Sequence, residues 1–194
     1  MVERHPLGFF LPANAQLLML GSFPPPRTRW SMEFYYPNFQ NDMWRIMGLI
    51  FYDDKDFFVE KPRKFSLEKA KSFCLARGIA LGDTGQEVVR QKGNASDKHL
   101  EIVTPIDLDE VLEKIPRCQA IVVTGEKAAS TLLSILPPMP APAVGTSESF
   151  EWRGRRLRLY RMPSSSRAYP KPLIEKAAVY RKMFEELGMV PVSS

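Results

Sequence analysis

The fold is decided by a short apolar run that breaks off into a turn, Leu17-Leu18-Met19-Leu20-Gly21-Ser22-Phe23-Pro24-Pro25. Continuous apolar residues that stop at glycine and proline are typical of a buried strand that opens into a loop at its carboxyl end. In open α/β sheets, ligands bind outside the carboxyl ends of the strands. This turn is therefore the first place where the sequence predicts a functional site.

A polar and aromatic stretch follows this turn, Tyr35-Tyr36-Pro37-Asn38-Phe39-Gln40-Asn41-Asp42-Met43-Trp44. Residues 22–40 are too rich in proline and aromatic side chains for regular structure, and loops of this length are usually functional. An amphipathic helix is predicted after them, with Asn41 as its N-cap. On the residues alone, Asn41 is either this cap or a site residue. One of Tyr35 and Tyr36 is expected to fill the core.

Strand and helix patterns alternate along the rest of the chain. Apolar runs predict strands and helical spacing predicts helices, as follows: strands at 79–81 and 119–124, helices at 66–78, 107–114, 126–136 and 171–187, and a hairpin at 150–160. Residues 1–15 and 85–98 are expected to be irregular. Residues 101–103 are expected to form an edge strand or an isolated pairing. This alternation implies a parallel sheet with helices on both faces.

Composition narrows the class of protein. A chain of 194 residues that is 44% hydrophobic suits one compact domain over 1–194. Two distant cysteines, Cys74 and Cys118, predict a reducing compartment and are too few for an iron–sulfur cluster. With His5 and His99 as the only histidines, we expect no metal site. No apolar stretch approaches the ~20 residues that span a membrane, so a cytoplasmic protein without a membrane partner is expected.

The charge of the chain favours an anionic partner. The formal net charge is +5 and the pI is about 9.2. Six arginines fall within a short segment near the carboxyl terminus: Arg153, Arg155, Arg156, Arg158, Arg161 and Arg167. They predict either a stripe that faces phosphates or a hairpin whose charges are solvated.

The two stretches quoted above, together with Met162-Pro163-Ser164-Ser165-Ser166, resemble the two motifs of the uracil-DNA glycosylase superfamily. They are most similar to its branch with a Gly-Ser-Phe-Pro loop, which includes hypoxanthine-DNA glycosylases. The resemblance extends from about His5 to about Leu187. It implies a three-layer α/β/α sandwich with a central, mainly parallel four-stranded sheet. It also implies a monomeric DNA repair glycosylase that removes uracil or hypoxanthine without a metal or cofactor.

Base excision requires a stacking group, a means of positioning water, and groups that hold the strand. The resemblance implies a catalytic role for Asn41, with Asn38 as an alternative in the same loop, and a stacking role for Tyr36. Phe23 stands where other branches carry a group that can activate water. Water activation must therefore come from elsewhere, or catalysis relies on stabilising the departing base and the cationic sugar. Asp83 is the best other carboxylate, and its alternative role is an Asx-turn.

The other predicted site residues lie in the same two loops. The base pocket is expected to include Gly21, Ser22, Phe23, Pro24, Tyr36 and Ser164. Glycine at position 21 allows close approach, and the amides that follow are expected to donate to a base carbonyl. The predicted DNA contacts are Ser165, Ser166, Arg167 and Tyr169. After Ser166 the sequence departs from the family pattern, and a serine-rich turn before the last helix is the alternative.

Two other functions stay open at this point. One is a nucleic-acid-binding protein of the same fold that has lost catalysis, which Phe23 and the divergent end of the second motif favour. The other is an unrelated α/β enzyme that acts on a nucleotide or a phosphorylated metabolite. Against the latter, the sequence contains neither a Gly-x-x-x-x-Gly-Lys phosphate loop nor a dinucleotide-binding fingerprint.

Overall fold

A computed structural model describes residues 1–60, 62–91 and 99–193. Within these ranges the elements are, in chain order, β1 Val2–Arg4, β2 Leu17–Gly21, a 3₁₀ turn Arg27–Arg29, α1 Met43–Tyr52, β3 Val59–Glu60, β4 Lys64–Phe65, α2 Leu67–Arg77, β5 Ile79–Asp83, β6 Gly85–Arg90, β7 Leu100–Pro105, α3 Leu108–Lys114, β8 Ala120–Thr124, α4 Glu126–Ile135, β9 Thr146–Trp152, β10 Arg155–Met162 and α5 Leu173–Glu186. Among these residues, no helix is both long and apolar enough to cross a membrane.

The central sheet has the strand order β5-β2-β8-β10-β9. Strands β5, β2, β8 and β10 are parallel, and β9 pairs antiparallel with β10. The prediction of a mainly parallel sheet is confirmed, but the count of four strands is wrong. The predicted hairpin starts earlier, at Thr146, and β10 pairs with β8 on one side and with β9 on the other. This arrangement adds β9 to the sheet as a fifth strand.

Apolar residues on the two faces of the sheet form two separate cores. Leu17 and Met19 pack in one core with side chains from α1, α2 and α5, whereas Leu18 and Leu20 pack in the other with α3 and α4. Because successive side chains of a strand point to opposite faces, a continuously apolar strand supplies both cores. The three-layer α/β/α arrangement is thereby confirmed.

A second sheet of three antiparallel strands has the order β1-β6-β7. The prediction of irregular structure was wrong for Val2–Arg4 and Gly85–Arg90, which form β1 and β6. These strands are polar, and neither a continuous apolar run nor a regular alternation marked them in the sequence. Residues 92–98 lie outside the described residues. Residues 101–103 lie in β7, which is an edge strand, and this is one of the two alternatives predicted for them.

The carboxyl ends of the parallel strands lie side by side at one edge of the central sheet. Gly21 pairs with Asp83, and Thr124 pairs with Met162. In each strand, the residue two positions earlier belongs to the core that packs against α1, α2 and α5. All four therefore point to the same face. At this edge the column of apolar side chains on that face gives way to a glycine, a carboxylate and a hydroxyl.

Candidate active site

A cavity of about 610 Å³ opens at this edge of the sheet. Its walls come from the loop that follows β2, over 21–25 and 35–41, and from the segment around the second motif, 161–169. Asp83, Thr124 and the start of α4 complete the lining. The two motifs, far apart in the sequence, therefore meet around one cavity, and its volume suits a small organic ligand.

The floor of the cavity brings three polar atoms together over Gly21. A Cβ atom at this position would lie 2.7 Å from Asp83 Oδ1, 3.5 Å from the Tyr36 hydroxyl and 3.8 Å from Thr124 Oγ1. A separation of 2.7 Å is shorter than a carbon–oxygen contact allows, so only glycine leaves this carboxylate oxygen its place. The close approach that glycine allows here is that of Asp83, and the predicted approach of a base stays a prediction.

Asp83 is 6% exposed, and its two carboxylate oxygens have different neighbours. Oδ2 lies 2.6 Å from His5 Nε2, whereas Oδ1 lies over Gly21 at the cavity floor. An Asx-turn would direct this side chain to the amide of Gly85, but that amide donates to the carbonyl of Ser22. Among the described residues, no further His, Cys, Asp or Glu joins this pair to form a metal site.

The two adjacent tyrosines separate into different roles. Tyr35 is 4% exposed and its hydroxyl donates to the carbonyl of Gly8, which confirms that one of the pair fills the core. Burial raises the pKa of Tyr35 well above its usual value, and the Asp83 charge adds to this effect. Both tyrosines line the cavity, and Tyr36 has a φ of +54°, a left-handed conformation. Its hydroxyl lies 3.0 Å from Thr124 Oγ1.

Thr124 is a site residue that the sequence predictions missed. It ends β8 as Gly21 ends β2 and Asp83 ends β5, and its hydroxyl also donates to the carbonyl of Leu20 at 3.4 Å. The available signal was a polar residue at the end of a continuously apolar run. That signal becomes specific only once β8 is known to be the neighbour of β2.

The two asparagines of the first loop both line the cavity. The Oδ1 atom of Asn41 accepts from the amide of Met43 at 2.9 Å, and that of Asn38 accepts from the amide of Gln40 at 3.0 Å. Since α1 begins at Met43, Asp42 occupies the N-cap position, and the prediction of Asn41 as N-cap was off by one residue. The Asn41 side chain nevertheless binds the first amide of the helix. Each amide nitrogen can donate to a ligand, and each carbonyl oxygen keeps one lone pair that can accept.

The serine loop is fixed by its own hydroxyls. Ser164 Oγ accepts from the amide of Ser166, and Ser166 Oγ accepts from the amide of Ala168, each at 3.2 Å. Ser165 is 3% exposed, which does not suit the predicted contact with a phosphate. Ser166 and Tyr169 are more accessible, and both line the cavity.

The two loops are joined by a buried carboxylate, Asp42. Its amide donates to the carbonyl of Ser165 at 2.9 Å, and its side chain lies 3.2 Å from Arg167 Nε, 3.7 Å from Lys176 Nζ and 3.8 Å from Arg45 Nη1. Burial lowers the pKa of both Lys176 and Arg45. We call these four side chains the clamp. Arg167, predicted to bind DNA, therefore holds the loops together through its Nε and exposes the rest of its guanidinium.

The predicted arginine stripe does not form. Arg155 donates to four backbone carbonyls, Arg153 pairs with Asp109, and Arg158 pairs with Glu186. Of the six arginines, only Arg161 lines the cavity, beside Lys127 of α4. Within the described ranges, no acidic side chain forms an ion pair with these two cations.

Comparison with known proteins finds similarity at the level of the fold. No family model matches the chain, and no curated protein matches it. Among solved structures, the chain is similar to a solution NMR structure from Methanosarcina acetivorans described as a "putative Uracil DNA glycosylase". The sequences are 22% identical, the TM-score is 0.64, and the match covers 97% of this chain and 99% of the other. The two proteins share a fold over their whole length, and the predicted fold class is confirmed.

Proposed function

We propose that the protein is a DNA glycosylase that hydrolyses the N-glycosidic bond of a deaminated base, uracil or hypoxanthine. One observation carries the proposal: a buried carboxylate, Asp83, presents one oxygen to the floor of a cavity that both motif loops surround. The shared fold with a protein described as a uracil DNA glycosylase supports it. DNA is the partner that this function requires, and the flipped base would occupy the cavity.

Asp83 would supply the negative charge that the reaction needs. As the bond from C1′ to the base nitrogen breaks, the electron pair leaves with the base and positive charge develops on the sugar. A carboxylate held nearby stabilises this charge and orients water toward C1′. The water oxygen then bonds to C1′ as one water proton passes to Asp83. The base leaves as an anion and takes up a proton from solvent, to which Asp83 releases its own. Phe23 need take no part in this chemistry.

Recognition of the base would use the neutral polar groups around the floor. The Thr124 hydroxyl donates to the carbonyl of Leu20, so the Tyr36 hydroxyl donates to Thr124 Oγ1. Each oxygen keeps a lone pair that can accept from an N–H group of a deaminated base. The amide nitrogen of Asn41 would donate to a base carbonyl and stabilise the negative charge that grows there. The ring of Tyr36 would stack on the base, an interaction of about 1–3 kcal/mol.

The DNA strand would contact the rim of the cavity. Arg161 and Lys127 are cations beside the cavity that have no acidic partner among the described residues, and we assign them to phosphates. The exposed part of Arg167, together with Ser166 and Tyr169, would contact the strand on the other side. We also propose that the protein acts as a monomer, as the resemblance to the glycosylase superfamily implies.

An excision assay tests the proposal. Oligonucleotides that carry uracil, hypoxanthine, xanthine or only normal bases are incubated with the protein and then treated with alkali. We expect strand scission at uracil or hypoxanthine, with loss of scission in Asp83→Asn. Asp109→Asn is the matched control, because that carboxylate pairs with Arg153 outside the cavity. Binding without scission would indicate a non-catalytic nucleic-acid-binding protein. The absence of both DNA binding and scission would indicate an enzyme of another class.

A further inference from the structure

Among the hydrogen bonds between described residues, the one that reaches the Asp83 carboxylate comes from the side chain of His5. The two side chains are 3% and 8% exposed, and the 2.6 Å separation of His5 Nε2 from Asp83 Oδ2 is short even for a charge-assisted bond. The residues are 78 positions apart in the sequence. His5 therefore reaches the cavity floor from a segment that belongs to neither motif.

The surroundings of the ring determine which nitrogen donates. Nδ1 lies 3.1 Å from the amide nitrogen of Leu7 and 2.9 Å from its carbonyl oxygen. We assign Nδ1 as the acceptor of the Leu7 amide, which places the ring proton on Nε2. In this tautomer Nε2 donates to Asp83. This bond holds the carboxylate so that Oδ1 faces the cavity.

Aromatic side chains fix the imidazole in this orientation. The ring of Phe23 meets it edge to face at a centroid distance of 5.2 Å, and Tyr35 lies on another side at 5.8 Å. Arg90 in turn donates to the carbonyl of Pro24 and lies over the Phe23 ring. Phe23, which cannot activate water, thus packs against the histidine that holds the carboxylate.

We propose that His5 is a positioning residue for Asp83, completing the active site from the amino-terminal segment. The inference rests on the proposed glycosylase function. By donating to Oδ2, His5 holds the carboxylate in place and leaves Oδ1 to face the sugar and the water. His5 itself touches no reacting atom. Its contribution is to the rate of bond cleavage and not to the binding of DNA.

Two variants separate this role from simple packing. His5→Phe keeps a ring between Phe23 and Tyr35 but removes the donor, and His5→Gln places an amide donor near the position of Nε2. Single-turnover excision rates and dissociation constants for the same oligonucleotide are measured for both. We expect His5→Phe to lower the rate about 10–100-fold, as the loss of an orienting partner does elsewhere, with an unchanged dissociation constant. We expect His5→Gln to recover most of the rate.

The outcomes distinguish the inference from the function on which it rests. A wild-type protein that excises no base overturns the proposed function and this role with it. An active wild type with an unimpaired His5→Phe variant overturns only the role of His5. A rate that falls equally in both variants, in step with a lower melting temperature, shows a packing role and also overturns it. His5→Gln keeps the test valid if His5→Phe does not fold.

Discussion

Two buried carboxylates lie near the two ends of the first loop, one beside Gly21 and the other just before α1. They differ in the groups that surround them. Asp83 and Asp42 are each 6% exposed. Among the described residues, Asp83 receives one hydrogen bond at its carboxylate, from His5, and it turns its other oxygen to the cavity. Asp42 is surrounded by Arg45, Lys176 and Arg167, whose charges exceed its own.

The difference shows how similar groups serve chemistry and architecture. A carboxylate whose charge is offset by three cations has little left to offer a substrate, and it stabilises the contact between two loops. A carboxylate held by one donor keeps its charge and an open oxygen. Burial makes both interactions stronger than they would be in water. Substitutions at the two positions should therefore change different measured quantities.

The largest effect on activity is expected at Asp83. Asp83→Asn keeps the shape of the side chain but removes its charge, so it cannot accept a proton from water or stabilise the cationic sugar. We expect the single-turnover excision rate to fall about 10²–10⁴-fold. The melting temperature should change little, since the amide oxygen can still accept from His5. An active Asp83→Asn variant would assign catalysis to another group.

Asp42→Asn should instead lower stability. It leaves Lys176, which is 1% exposed, and Arg45 buried without a countercharge. The expected loss is about 3–5 kcal/mol in the free energy of unfolding, measured with denaturant. Glu33→Gln provides a control, because Glu33 pairs with Arg27 on the exposed surface. If Asp42→Asn folds as stably as the wild type, the clamp does not hold the loops.

Gly21→Ala tests the space around the floor. The added methyl group would lie 2.7 Å from Asp83 Oδ1 and must displace it. Because a shift of about 1 Å in a catalytic group can cost about 10²-fold in rate, we expect a loss of this order. Gly8→Ala is a matched control, since a Cβ there meets nothing within 4 Å. Equal rates for both variants would show that the carboxylate is not confined.

Tyr36 provides a smaller effect that distinguishes its two roles. Tyr36→Phe keeps the ring and removes the bond to Thr124, so we expect a loss of about 0.5–1.5 kcal/mol in transition-state stabilisation. Tyr36→Leu also removes the stacking surface, which adds about 1–3 kcal/mol. The ratio of kcat/KM to that of the wild type measures both. Equal losses in the two variants would argue against stacking.

The smallest effect is expected at the rim. Arg161→Gln removes one cation beside the cavity, and the slope of log affinity against log salt should decrease by about 0.9 for one lost phosphate contact. Arg153→Gln is the control, because that arginine is paired with Asp109 and does not line the cavity. An unchanged slope in Arg161→Gln would remove this arginine from the DNA-binding surface.

Several features were predictable because they depend on neighbours in sequence. The continuously apolar run 17–21 specified a buried strand, and Ser66 and Gly78 marked the ends of α2. The hairpin was predicted, but not that its first strand joins the central sheet. Strand β6 was not predicted, because it is polar and shows no apolar pattern. Pairing with an existing strand determines such segments, and the pairing partner lies far away in the chain.

The sequence by itself determined the α/β class, the strand that leads into the site and the two loops that surround the cavity. Hydrophobic periodicity and turn residues are local signals, and they specify local structure. Only the tertiary structure decided which polar side chains meet. It placed Asp83 against His5, joined the Tyr36 hydroxyl to Thr124 at the cavity floor, and used Arg155 to bind backbone carbonyls. The physical reason is that strand register and burial, set by contacts across the whole sheet, decide which charges face a ligand and which are neutralised.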